Sequence, residues 1–233
     1  MDLATGYREL APPADLRSLL ECVWVRVADT RDDVQIVPDG AVDVIWQRGR
    51  GVIVAGPDTT ARSVTVEPGS LMIGIRSLPG AGGGLLGIPV DELRDLVADG
   101  GDVDGAFTLE GEREPSDALA RLLAAARGRE ADPLVTAAVA RLDDGDLRAV
   151  ASGLGIGERQ LRRRFHAACG YGPKTLARVL RFRRFLAATD AGQSDLARLA
   201  LDTGYADQAH LTRESTRLAG LPPGALLRYR AGG

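Results

Sequence analysis

The hydrophobic pattern of the chain changes its period once, and this change limits the folds that the chain can adopt. Between Cys22 and Arg76, short runs of β-branched and aromatic residues recur at about ten-residue spacing, and turns rich in Pro, Gly and Asp separate them. From Leu147 onward, apolar residues recur three and four positions apart, which is the period of an α-helix. We therefore predict an α+β protein with an N-terminal β-rich sheet or small barrel and a C-terminal all-α domain.

The β-like runs predict strands, and helical patterns flank them. Helices are predicted at residues 14–20 and 89–97, the latter with Pro89 in its first turn and acidic residues near its positive N-terminal dipole. Two further helices are predicted at residues 115–127 and 133–142. The predicted strands cover residues 22–27, 34–37, 42–46, 52–55, 64–66 and 71–75.

Charge is divided unevenly between two segments. The chain of 233 residues has 29 basic and 32 acidic side chains and a formal net charge of −3. Residues 1–146 carry 14 basic and 26 acidic side chains, net −12, whereas residues 147–233 carry 15 and 6, net +9. Such an asymmetry indicates that the second segment meets a polyanion. The acidic, Gly-containing turn at residues 143–146 predicts a linker between a domain at 1–146 and a domain at 147–233.

The cysteine and histidine contents argue against disulfides and metal sites. Cys22 and Cys169 are far apart in the sequence, and His166 and His210 lie in no cluster of Cys and His ligands. We therefore expect no disulfide framework, no metal and no cofactor. No apolar run approaches the length of about 18 residues that a membrane span needs, and no signal peptide is predicted. These features favour a cytoplasmic protein.

Two N-terminal features are open to a binding or catalytic interpretation. Residues 79–84 are Gly-rich but lack the ending and register of a phosphate-binding loop, so we favour a flexible or closely packed loop. Asp39, Asp43 and Asp58 could form a catalytic carboxylate set, but Asp39 and Asp58 occupy turn positions where Asp bonds its own backbone. Asp43 lies inside an apolar strand, where an inward-facing carboxylate would need a partner such as an arginine and an outward-facing one would not.

The basic segment begins with the pattern of a helix-turn-helix. Residues 147–165 predict a short helix, a Gly-bearing turn and a second helix, on which Leu161 and Phe165 face the core. Residues 174–188 then predict one long helix. Three arginines on its polar face are expected to be available to solvent or phosphate: Arg178, Arg181 and Arg184.

A second copy of the helix-turn-helix pattern follows about 50 residues later, since residues 194–213 repeat the order of apolar helix, Gly turn and polar helix. Ser194 or Asp195 can cap its first helix, Gly204 supplies the turn and Tyr205 fills the core. The all-α domain is thus predicted to hold two helix-turn-helix motifs joined by a long helix.

Several ordered motifs mark the basic segment: Leu-Gly-Ile at 154–156, Arg-Gln-Leu-Arg-Arg-Arg-Phe at 159–165, Gly-Tyr-Gly-Pro at 170–173, the segment 200–213 and the Gly-x-x-Pro turn at 220–223. Through these motifs, residues 147–228 resemble the two-copy DNA-binding domain of the AraC/XylS family of transcription regulators. The chain departs from the usual family pattern at Ser215, where the family has Phe, and at Gly157, where it has Ser. Residues 38–46 and 55–59 are similar to an uncharacterised regulatory domain attached to such domains in actinobacterial proteins.

The resemblance assigns the DNA contacts to the second helix of each unit. Arginine binds guanine in a bidentate manner, glutamine pairs with adenine, and a threonine methyl contacts thymine. Two such helices on one rigid domain would enter successive major grooves about 34 Å apart. Glu214 would repel phosphate if it pointed toward DNA. The implied contacts are Arg159 and Arg163, with Gln160 and Arg162 near bases or phosphate, and then Gln208, Thr212 and Arg213.

The sequence therefore predicts a sequence-specific DNA-binding transcription regulator without enzymatic activity. Its partner is double-stranded DNA, and a small-molecule effector or self-association through residues 1–146 would control it. A second copy of the chain, in a homodimer, and RNA polymerase are further possible partners of such a regulator. Two alternatives stay open. One is a small-molecule-binding or interaction protein whose helix-turn-helix domain has weakened DNA binding, suggested by Ser215, and the weaker one is an enzyme that uses Asp43 or Asp58.

Overall fold

The computed structural model describes residues 4–109, 111, 114–142 and 147–232. A sheet-rich N-terminal region precedes a helical C-terminal region, which confirms the predicted α+β class. The predicted linker at residues 143–146 lies outside the described residues, so the boundary between the two predicted domains stays a prediction. In the described part of the chain, no helix combines the length and the apolar composition that crossing a membrane requires.

The N-terminal region contains eight strands among the described residues. Six strands form an antiparallel sheet in the order β1-β2-β7-β4-β5-β8, and β3 and β6 pair as a separate antiparallel ribbon. Of the two predicted alternatives, the sheet is therefore the one observed. The strands are β1 (Gly6–Leu10), β2 (Leu20–Val27), β3 (Asp32–Ile36), β4 (Asp43–Gln47), β5 (Gly51–Ala55), β6 (Arg62–Val66), β7 (Leu71–Ser77) and β8 (Val97–Asp99).

The alternation of side chains along each strand gives the sheet one buried face. On β4, Val44 and Trp46 are buried, whereas Asp43, Ile45 and Gln47 on the other face are only partly buried. Each side chain reverses its direction relative to its neighbour along a strand, and the inward residues of β2, β4, β5 and β7 join one core. Short helices and α3 cover this face. The N-terminal helices are α1 (Gly82–Leu86), α2 (Gly100–Val103), α3 (Pro115–Ala126) and α4 (Pro133–Val139).

Two of the four predicted N-terminal helices are observed and two are wrong. The helices predicted at residues 115–127 and 133–142 are α3 and α4. At residues 14–20 only a 3₁₀ turn, Ala14–Leu16, forms before β2 begins at Leu20. At residues 89–97 a 3₁₀ turn ends at Leu93, because Arg94 is extended and Asp95 adopts a left-handed conformation with φ 60°. The chain then joins the edge of the sheet as β8.

The C-terminal region is helical, and its hydrophobic core includes Val135 and Ala138 of α4. Both predicted helix-turn-helix units are present, and α7 joins them as the predicted long helix. Asp195, rather than Ser194, caps α8 by accepting hydrogen bonds from the N–H groups of Ala197 and Arg198. Tyr205 is buried in the core as predicted. The helices are α5 (Leu147–Gly153), α6 (Glu158–Cys169), α7 (Pro173–Asp190), α8 (Leu196–Asp202), α9 (Gln208–Ala219) and α10 (Pro223–Gly232).

Candidate nucleic-acid interface

The first recognition helix, α6, buries one face and exposes basic groups on the other. Leu161 and Phe165 are fully buried, so the residues between them project away from the core. Three of the residues assigned to DNA are exposed and form neither an ion pair nor a hydrogen bond through their side chains within the described residues: Arg159, Gln160 and Arg163. Their donors are available to acceptors outside the chain.

Arg162 is exposed but already has an acidic partner on the same helix. Its guanidinium donates to the carboxylate of Glu158, with Nε 3.0 Å from Oε1, and about half of its side chain is exposed. Ion pairs of this exposed i, i+4 type contribute only about 0.3–0.5 kcal/mol. A DNA phosphate can therefore replace Glu158 as the partner of Arg162.

The second recognition helix, α9, presents its assigned residues in a similar way. Asp207 caps the helix by accepting a hydrogen bond from the N–H of His210, and Gln208 and Arg213 are exposed. Thr212 donates its hydroxyl to the carbonyl of Gln208 at 2.9 Å. Because this donor is used within the helix, the methyl group is the part of Thr212 that suits a contact with a base.

Glu214 points away from the exposed face of α9 and binds Arg178 of α7. The two side chains form a bidentate pair, with Nε to Oε2 at 2.7 Å and Nη2 to Oε1 at 2.9 Å. The hydrogen bond from Arg178 lowers the pKa of Glu214, and the same bond raises the pKa of Arg178. The expected availability of Arg178 to phosphate is therefore wrong. Its charge instead neutralises Glu214, which removes the repulsion that Glu214 would exert on DNA.

A matching ion pair orients the first recognition helix, although the sequence analysis did not find either pair. Arg164 occupies the same position in α6 as Glu214 in α9, and its Nη1 lies 2.5 Å from Oδ2 of Asp132, the residue that caps α4. Each recognition helix is thus tied to the helix that precedes its unit, with the two charges exchanged. A signal was present, because opposite charges occupy equivalent positions of the two sequence copies.

Ser215 is buried and satisfied, although it replaces a core aromatic residue of the family pattern. Its hydroxyl donates to the carbonyl of Leu221 at 2.7 Å. Leu211 and Leu218 are buried on either side of it in the same helix. The core of the second unit is therefore closed without the aromatic ring, and Ser215 gives no structural reason to expect weakened DNA binding.

The three N-terminal aspartates are held by two arginines. Asp43 lies 3.2 Å from Arg76 and accepts a hydrogen bond from Nε1 of Trp24 at 2.6 Å, so its carboxylate has an arginine partner although it lies on the face of β4 opposite Val44 and Trp46. Burial raises the pKa of Asp43 to about 6, although Arg76 acts in the opposite direction.

Asp39 and Asp58 have structural partners of their own. Asp39 accepts a hydrogen bond from the N–H of Ala41 at 2.9 Å, which is the predicted turn contact, and lies 3.4 Å from Arg76. Asp58 instead pairs with Arg62 at 3.3 Å, and burial raises its pKa. The carboxylates serve the packing of the sheet and its turns.

The Gly-rich segment 79–84 is closely packed against the first helix-turn-helix unit. A Cβ added at Gly83 would lie 2.5 Å from the carbonyl oxygen of Ala167 and 3.1 Å from Cα of Ala168, both on α6. Such distances leave no space for a side chain. Of the two predicted alternatives for this segment, the close-packed loop is the one observed, and glycine allows α1 to approach α6.

Comparisons with known proteins match two separate segments of the chain. Residues 150–229 match the family described as "Helix-turn-helix domain", and residues 8–99 match the family described as "Domain of unknown function (DUF6597)". Both resemblances drawn from the sequence are thereby confirmed. No curated protein matches the chain.

Among solved structures, the chain is similar to ToxT from Vibrio cholerae. One ToxT structure aligns over 95% of this chain and 98% of that chain, with 9% identity and a TM-score of 0.46. A ToxT structure with a bound unsaturated fatty acid aligns over 88% of this chain and 94% of that chain, with 10% identity and a TM-score of 0.46.

Proposed function

We propose that this chain, which carries an AraC-type helix-turn-helix domain behind a domain of unknown function, is a sequence-specific DNA-binding transcription regulator. The observation that carries the proposal is the pair of recognition helices whose exposed faces hold unpaired arginines. Arg159 and Arg163 lie on α6 and Arg213 lies on α9, and within the described residues none of the three has an internal partner. They belong to a segment of net charge +9, and clustered basic residues on one surface are the electrostatic signature of a nucleic-acid site.

The roles of the assigned residues follow from their geometry. Free guanidinium groups on α6 suit the bidentate recognition of guanine, so Arg159 and Arg163 read bases. Arg162 exchanges Glu158 for a phosphate and contributes affinity rather than specificity. On α9, the methyl group of Thr212 contacts thymine. Gln160 and Gln208 offer amide groups for adenine, and Arg213 supplies the remaining cation.

In this proposal, residues 147–233 form the DNA-binding domain, and residues 1–146 control its binding to DNA. The N-terminal region contacts α7, the helix that joins the two units: Nη1 of Arg183 donates to the carbonyl of Asp39 at 3.1 Å, and its Nη2 pairs with Glu21. An effector or a second copy of the chain that binds the N-terminal region would therefore act on the element between the two recognition helices.

The test uses the full-length chain and duplexes selected from a random pool. Arg163→Ala is expected to weaken binding to the selected site by about 1–3 kcal/mol and to leave binding to random DNA almost unchanged, because a base contact carries sequence information. The matched control is Arg17→Ala, which removes an exposed arginine of the N-terminal region that has no ion-pair partner among the described residues. Affinities are measured by fluorescence anisotropy at two or more salt concentrations.

Two outcomes decide the proposal. Equal losses on selected and random DNA would show that Arg163 contacts only phosphate. Absence of any salt-dependent binding of duplex DNA by the wild-type chain would overturn the proposal, since phosphate contacts release counterions and must depend on salt.

A further inference from the structure

The C-terminal ends of both recognition helices lie against the N-terminal region. At the end of α6, the carbonyl of Ala167 accepts a hydrogen bond from the N–H of Val90 at 3.0 Å. At the end of α9, the carbonyl of Leu218 accepts from the N–H of Ala61 at 2.7 Å, and that of Ala219 accepts from Nε2 of Gln35 at 2.8 Å. A helix leaves its last four carbonyls without partners inside the helix. The N-terminal region therefore completes the last turn of both recognition helices.

One loop reaches both of these helix ends. The β5–β6 loop, residues 56–61, makes its bond to α9 through Ala61. At its other end, Pro57 packs against Gly170, which caps α6: a Cβ added at Gly170 would lie 2.5 Å from Cγ of Pro57. The loop is thus a direct bridge between the two recognition helices.

Asp95 fixes the position of this loop. Its carboxylate accepts hydrogen bonds from the N–H of Thr59 at 2.6 Å and from the Thr59 hydroxyl at 2.9 Å. The N–H of Asp95 donates to the carbonyl of Pro57 at 3.2 Å. Asp95 has φ 60°, a left-handed conformation that residues other than glycine rarely adopt and that surrounding contacts must hold.

The two units share one hydrophobic core with α7, and the β5–β6 loop adds a second connection between their recognition helices. Gly172 precedes α7, and Gly192 follows it with φ 90°. Glycine adopts many backbone conformations at little cost, so packing contacts, rather than these connections, set the angle of each unit. A recognition helix of 12 residues is about 18 Å long, and a small rotation at its anchored end displaces the base-reading end.

We propose that the β5–β6 loop, positioned by Asp95, sets the distance and phase between the two recognition helices, so that the chain selects operators by the spacing of their half-sites as well as by their bases. This inference rests on the proposed DNA-binding function and names Asp95 as a positioning residue. A change in the N-terminal region that moves Pro57 relative to Ala61 alters which operator spacing fits.

The experiment measures affinity against half-site spacing with the full-length chain. The duplex selected from a random pool is rebuilt with one or two base pairs inserted or deleted between its half-sites. Each base pair rotates one half-site by about 35° and shifts it by about 3.4 Å. For the wild-type chain we expect a single preferred spacing and a loss of affinity of about tenfold on either side, comparable to a mismatched base pair.

Variants of the bridge test its role. Asp95→Ala removes both contacts to Thr59 and is expected to flatten the spacing profile while the base preference within each half-site is unchanged. Asp95→Asn keeps an acceptor and tolerates the left-handed conformation, so it should restore the wild-type profile. Thr59→Val, which removes the hydroxyl that donates to Asp95, is expected to broaden the profile in the same direction. Gly105→Ala serves as the control, because among the described residues, its chain neighbours aside, nothing lies within 4 Å of the added Cβ.

The outcomes separate this inference from the proposed function. If the wild-type chain binds DNA with equal affinity at every spacing, or if folded Asp95→Ala retains the sharp wild-type profile, the inference is overturned and DNA binding stands. If Asp95→Ala does not fold, Thr59→Val decides: a broadened profile supports the inference and an unchanged one overturns it. Failure of the wild-type chain to bind any duplex refutes the proposed function itself.

Discussion

Ser215 shows how a small polar residue closes a core where the family resemblance places a ring. Its side chain is fully buried and its hydroxyl donates to the carbonyl of Leu221, which ties α9 to the turn before α10. Ser215→Ala leaves that carbonyl without its partner and is expected to lower the free energy of unfolding by about 1 kcal/mol. Ser215→Phe restores the family residue but overfills a closed site, and we expect it to destabilise the chain by about 1–3 kcal/mol.

Urea unfolding of the full-length chain measures both effects. Ser152→Ala, an exposed serine in α5, provides the control for the higher helix propensity of alanine. A Ser215→Phe variant as stable as the wild type would show that the second unit has room for an aromatic ring, and the closed-core interpretation would then be wrong.

The ion pair between α7 and α9 fixes the second recognition helix. Glu214→Gln removes the charge that Arg178 binds, and we expect it to reduce the free energy of unfolding at neutral pH by about 1–3 kcal/mol. Arg178 lowers the pKa of Glu214 from its ordinary value of 4.5, so the pair stabilises the folded chain above that value. Its contribution is lost as the pH falls through the lowered pKa.

The measurement is therefore the difference in unfolding free energy between wild type and Glu214→Gln as a function of pH. This difference should shrink as the pH falls below the ordinary glutamate range. A double-mutant cycle with Arg178→Ala isolates the pair. A difference that is independent of pH, or a coupling energy near zero, would show that the contact does not hold α9 in place.

Local sequence patterns predicted the strands that contain β-branched or aromatic runs and missed the two edge strands of the sheet. The six predicted strands are all observed, whereas β1 and β8 were not predicted. Both lie at the edges of the sheet, where most of their side chains are exposed. Backbone hydrogen bonds, which do not depend on side-chain type, hold them in place, so the sequence shows no alternation of apolar residues there. The recognition helices were located from Leu161, Phe165 and the Gly turns. The Arg178–Glu214 ion pair and the Ala61–Leu218 hydrogen bond could not be predicted, because residues distant in sequence meet only once the fold has formed.

The whole chain combines two hydrophobic cores across an interface of backbone hydrogen bonds. One core lies in the N-terminal region, and the other joins α4 to the C-terminal helices. The net charge of −3 conceals segments of −12 and +9, and opposite charges meet directly where Arg183 binds Glu21. Three helix-end carbonyls, those of Ala167, Leu218 and Ala219, depend on the interface for their partners. Unfolding of either region therefore leaves the other with exposed, unpaired groups.

This dependence predicts a single cooperative transition for the wild-type chain. Both tryptophans, Trp24 and Trp46, lie in the sheet, so their fluorescence reports on the N-terminal region, whereas far-ultraviolet circular dichroism reports mainly on the C-terminal helices. The two signals should change at the same urea concentration, as they do in two-state unfolding. Gly83→Ala places a methyl group against the backbone of α6 and is expected to separate the two transitions, while Gly105→Ala leaves them together. Distinct midpoints in the wild type would mean that the interface couples the regions too weakly to hold the two recognition helices in register.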